Sequence, residues 1–83
     1  MSIKLNSGFE ILSFSDSKYE EVTVEVQYRG EQVAQLNRDK GIHSIEIEIL
    51  TDYVDQKFSP IFNLDEFLFA LSEAKKLLGA SVN

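Results

Sequence analysis

Residues 63–79, NLDEFLFALSEAKKLLG, carry one apolar stripe, and the rest of the chain must supply the surface on which that stripe rests. At ~100° per residue, Leu64, Phe67, Leu68, Leu71, Ala74 and Leu78 fall on one side of a helix. Both ends are marked. Asn63 is suited to cap the first-turn amides, and Glu66, three residues later, completes a capping-box-like pair. Phe62 and Phe67 occupy the two positions of a hydrophobic staple. Asp65 and Glu66 suit the positive end of the helix dipole and Lys75 and Lys76 the negative end, and Gly79 closes the helix. A helix with one apolar side needs an apolar sheet face to cover it.

The preceding segments alternate as strands do. In YEEVTVEVQYR, Val22, Val24, Val26 and Tyr28 share one face, while Thr23, Glu25, Gln27 and Arg29 take the other, which should be wet. In SIEIEIL, residues 44–50, Ile45, Ile47 and Ile49 point inward and Glu46 and Glu48 outward. Between them Gly30 turns the chain into QVAQLN, where two- and three-residue loops would bury opposite sides; Ala34 and Leu36 are taken as inward. The first segment, IKLNSGFEILSF, reads as extended structure interrupted or bulged at Ser7–Gly8. Residues 52–62, with the only proline, read as an irregular connection. The pattern predicts an α+β domain over residues 1–83: an antiparallel meander of four or five strands with one C-terminal helix across one face, in two layers.

Composition narrows the function classes. Fourteen acidic residues against eight basic ones give a net charge of −6, a field that repels nucleic acid and anionic lipid and attracts basic protein surfaces. The lysines and arginines are scattered, with no basic stripe flanking stacked aromatics. No stretch approaches the ~20 apolar residues of a membrane span, and no secretory pattern opens the chain, so it reads as a complete cytoplasmic protein. Without cysteine, neither disulfides nor thiolate ligands are available.

Catalytic signatures are missing. There is no G-x-G-x-x-G, no G-x-x-x-x-G-K-[ST], no H-E-x-x-H and no G-x-S-x-G. The one histidine, His43, stands beside a turn and reads as a surface or strand-end residue. Glu46 and Glu48 lie ~7 Å apart by strand rise, a tolerable catalytic spacing, but an open sheet face neither excludes water nor raises a carboxyl pKa. DYVDQ has too few acids at the right offsets for a calcium loop. The chain is therefore read as no enzyme, with no cofactor and no metal.

Two features ask for a partner. From Gly41 to Gln56 the chain carries Glu46, Glu48, Asp52 and Asp55 without a lysine or arginine, and from Tyr19 to Tyr28 it carries Glu20, Glu21 and Glu25. Glu25, Glu46 and Glu48 on one outer face, with the loop acids nearby, would repel one another, and a cationic partner would relieve that cost. For the alternating stretch by itself, a solvated face is the plainer reading. Phe69 is the second feature, about 180° around the helix from the apolar stripe. It is expected to be covered by the 52–62 connection, against Tyr53 or Phe58; exposed, it would anchor a partner or a homodimer.

FNLDEFLFALSEAKKLL following GIHSIEIEIL in a small acidic chain resembles, over residues 20–78, the immunity proteins of bacterial polymorphic-toxin and contact-dependent growth inhibition systems. The resemblance implies a non-catalytic inhibitor that binds the toxin domain of its own system. Many such toxins are nucleases, whose basic clefts suit an acidic inhibitor. The partner implied is a cognate basic toxin domain, with no direct nucleic-acid or membrane contact. The residues expected to meet it are Glu25, Glu46, Glu48, Asp52, Tyr53, Asp55 and Phe69. A self-assembling or adaptor-type interaction domain is the alternative.

Overall fold

Alternation in the first fifty residues becomes five antiparallel strands lying side by side in chain order in a computed structural model, which describes residues 2–50 and 58–80. The strands are β1 (Ser2–Lys4), β2 (Phe9–Phe14), β3 (Thr23–Tyr28), β4 (Glu31–Asn37) and β5 (Glu46–Ile49). The helix α1 (Leu64–Ala80) packs on one face of the sheet, giving the expected two-layer α+β meander.

Of the two readings the sequence left at Ser7–Gly8, the structure shows the interruption: the N-terminal segment breaks there into a hairpin. Ile3 pairs with Ile11, and Leu5 N–H donates to Phe9 O at 2.8 Å. Gly8 holds φ +102°, and a Cβ there would meet the Tyr28 ring at 3.2 Å, so this turn needs a glycine. The β3–β4 connection is tighter still. Tyr28 pairs with Glu31 across Arg29–Gly30, both at positive φ, the two-residue turn whose twist matches a hairpin. Arg29 therefore lies in the turn, outside the strand face assigned to it.

That turn alone would place Val33 opposite Val26 and send Ala34 outward. A bulge at Val33 resets the register, so that Ala34 faces Val26 and Leu36 faces Val24. Ala34 and Leu36 are buried as expected, and Val33 is buried with them. The core is Phe9, Ile11, Val24, Val26, Ala34 and Leu36 from the sheet against Ala70, Ala74, Leu77 and Leu78 from the helix. At one end an aromatic cluster closes it: the Phe9 ring lies 4.8 Å from Tyr28, 5.1 Å from Phe62 and 5.6 Å from Phe67.

The helix start matches its sequence. Asn63 Oδ1 accepts the Glu66 N–H at 3.0 Å, and the staple rings Phe62 and Phe67 stack at 5.3 Å. The other end differs. Gly79 lies inside the helix, and the last turn holds neither Lys75 nor Lys76. Arg38 supplies the cation instead, donating from Nη1 to the Leu78 carbonyl at 3.1 Å.

The buried side of α1 is rotated from the expected stripe. Ala70 and Leu77 are buried, whereas Leu64 and Leu68 are exposed. Two alanines, Ala70 and Ala74, let the backbone settle close to the sheet, and that small-residue line becomes the contact. Leu64 and Leu68 then stand on the flank of the helix nearer β5.

Candidate functional site

The register places Glu25 opposite Gln35 and Gln35 opposite Glu48, so the two glutamates share a cross-strand row on the outer face, with Glu46 one pleat along β5. The expected common face is therefore present. Its environment is different from the wet, uncompensated surface that the sequence implied. Thr23, Gln35 and Asn37 are buried, and Glu25 is only 4 % exposed.

The cause is the β2–β3 loop, residues 15–22, which folds back over this face. Gln35 Nε2 donates to Thr23 Oγ1 at 2.9 Å and to Asp16 Oδ2 at 3.2 Å, while Thr23 Oγ1 donates to the Phe14 carbonyl at 2.7 Å. Glu25 Oε1 accepts from Gln27 Nε2 at 2.6 Å. The loop is also tied at its far end: Asp39 accepts the backbone N–H groups of Glu20 and Glu21, each at 3.1 Å. A polar strand face thus becomes an inner layer, because hydrogen-bonding loop residues replace the water it would otherwise need.

The two glutamates of β5 have cations of their own. Lys18 Nζ lies 2.8 Å from Glu48 Oε2, Tyr19 donates its hydroxyl to Glu48 Oε1 at 2.8 Å, and Lys40 Nζ lies 2.9 Å from Glu46 Oε2. The absence of nearby lysine in the linear segment was misleading, since Lys18 arrives from a separate loop. Hydrogen bonds from Lys18 and then Tyr19 hold the Glu48 carboxyl below its ordinary pKa. The same bond to Glu48 raises Lys18 and Tyr19, and the bond to Glu46 raises Lys40. Asp16 is lowered by the Lys18 backbone N–H and then by Gln35. Glu21 approaches Arg38 at 4.0 Å.

Asp52, Tyr53 and Asp55 lie outside the described residues. Phe69 is 55 % exposed, so its expected burial under the 52–62 connection does not hold. It borders the β1–β2 turn, beside Leu5, Ser7, Asp65 and Glu66, far around the helix from β5. The structure therefore separates Phe69 from the glutamates instead of joining them in one surface. His43 is exposed in the turn before β5, as expected.

A feature not read from the sequence lies on the helix-side face of β5. Ile47 is 45 % and Ile49 57 % exposed, although both point to the side that should be core. Helix α1 packs on β2, β3 and the flank of β4, but does not reach β5. The exposed Leu64 and Ile61 face the same gap beside Ile49, Leu68 follows Leu64 by one turn on that flank of the helix, and Ile42 flanks the far end beside Ile47. Five strands at about 4.8 Å spacing span ~19 Å, and one helix with its side chains is only ~10–12 Å across. That mismatch was the available signal. Among the described residues, no group of three or more His, Cys, Asp or Glu side chains converges as a metal site would, and no helix is long and apolar enough to cross a membrane.

Comparison with known proteins finds no match: no family model fits the chain, and no curated protein or solved structure matches it.

Proposed function

We propose that this chain is a non-catalytic binding protein that holds a basic protein partner on the β5 side of its sheet, as an immunity protein holds and blocks its nuclease toxin. The observation that carries this reading is the uncovered strip of Ile47, Ile49, Leu64 and Leu68 beside Glu46 on the sheet edge. Apolar side chains left exposed together favour a covering partner, and a chain of net charge −6 selects a cationic one. Resemblance to the immunity proteins supplies the class of partner, a toxin whose basic cleft binds phosphates.

Co-expression tests it. The C-terminal domain of a toxin-like protein encoded immediately upstream should arrest growth when expressed without this chain. With it, growth should be restored and the two should purify as one complex. Absence of such a neighbour, or unchanged toxicity with the chain present, contradicts the immunity reading.

A further inference from the structure

We propose that the partner is held by strand addition at the outer edge of β5, the last strand of the sheet, through an extended segment that alternates apolar and basic residues. This inference rests on the binding function proposed above and specifies its geometry. Leu50 N–H donates to Val33 O at 2.8 Å, and the pairing continues in step through Ala34–Ile49 and Gln35–Glu48. Antiparallel alternation then turns the backbone groups of Glu46 and Glu48 toward β4 and those of Ile47 and Ile49 toward the open edge. These outward groups are unpaired among the described residues and form a template for another strand.

The two edges of the sheet are not alike. β1 is three residues long and ends in Lys4, the kind of short, charged edge that discourages pairing. β5 has no lysine, no proline and no bulge against β4. Its exposed isoleucines are on one face and its glutamates on the other. A segment added here would place alternate side chains over Ile47 and Ile49, within reach of the strip formed with Leu64 and Leu68. The intervening side chains would stand opposite Glu46 and Glu48. Lysine or arginine fits best opposite Glu46, because Lys40 engages only its Oε2 and exposed ion pairs of this kind exchange partners at little cost, whereas Glu48 is already held by Lys18 and Tyr19.

A second copy of this chain fits less well. Antiparallel pairing of two β5 strands about Ile47 sets Glu46 opposite Glu48, and pairing about Glu48 sets that residue against itself. Like charges directly across a strand pair are unfavourable.

The test uses the full chain and short synthetic peptides observed by NMR titration. The probe alternates lysine and valine. The controls are the same residues in blocks, glutamate in place of lysine, and the alternating peptide N-methylated at every second amide. Strand addition requires the alternating lysine peptide to shift the Ile47 and Ile49 amides. N-methylation on the bonding side should weaken it about tenfold, as should Ile47→Pro, which removes only an outward N–H. Equal binding of the blocked or N-methylated peptide, or shifts that avoid β5, overturns strand addition while leaving a basic partner in place. Preference for the glutamate peptide overturns both readings.

Discussion

Glu48 joins two parts of the chain that the sequence keeps thirty residues apart, because its carboxylate takes the Lys18 ammonium and the Tyr19 hydroxyl and so fastens the 15–22 loop to the sheet. The parity of the alternation identifies Glu48 as outward, and it is outward. What it meets there is set by loop folding, which no local pattern records. The same holds for Gln35 and Thr23, polar by sequence, buried, and tied to each other and to Asp16 of that loop. The protonation consequence has a definite sign. Asp16 and Glu48 are lowered in the fold, so the native state binds protons less readily than the unfolded chain. Their contribution is present above the unfolded-state carboxylate pKa and is lost as pH falls through the lower folded value. Acidification should therefore release the 15–22 loop before the strands, seen as falling heteronuclear NOE values in that loop. Glu48→Gln should show the loosened loop already at neutral pH. A loop equally rigid in both cases would remove Glu48 as its anchor.

At the scale of elements, helix α1 shows which sequence signals are reliable. The cap at Asn63 and the Phe62–Phe67 staple act within one turn of the chain, and both form as read. The buried side depends on what the sheet presents, and there the stripe count was misleading. Counting at ~100° per residue placed Ala74 and Leu78 correctly, but the close approach buries Ala70 and Leu77 where the stripe had Leu64 and Leu68. The meander and its inward valines were legible because period-two alternation survives packing. The bulge at Val33 was not, because it corrects a turn whose length the sequence left open. Ala70→Leu should push the helix from the sheet and cost ~1–3 kcal/mol. Leu68→Ser should stay within about 0.5 kcal/mol of wild type. Urea unfolding of both variants checks the rotation, and a Leu68→Ser loss as large as that of Ala70→Leu would restore the original stripe.

For the whole molecule, the mismatch between sheet width and helix width accounts for the candidate surface. One helix covers the β2–β3 side, the 15–22 loop lies over the Thr23–Gln35 part of the opposite face, and the helix side of β5 is left with exposed isoleucines. Acidic character was evident from composition, but its placement was not, since internal lysines engage both glutamates of β5. The surface is better described as an apolar strip with an acidic border than as an acidic face. The most direct measurement is binding kinetics with the basic partner domain proposed above, once co-expression has identified it, for wild type, Glu46→Lys, Ile49→Ser and Phe69→Ala at low and high salt. Glu46→Lys is expected to slow association, most at low salt, because steering charges act chiefly on encounter. Ile49→Ser should speed dissociation about tenfold by removing a buried contact, and Phe69→Ala should behave as wild type. Wild-type rates for both β5 variants, with weakened binding by Phe69→Ala, would contradict a β5 interface and move the partner to the opposite flank of the helix.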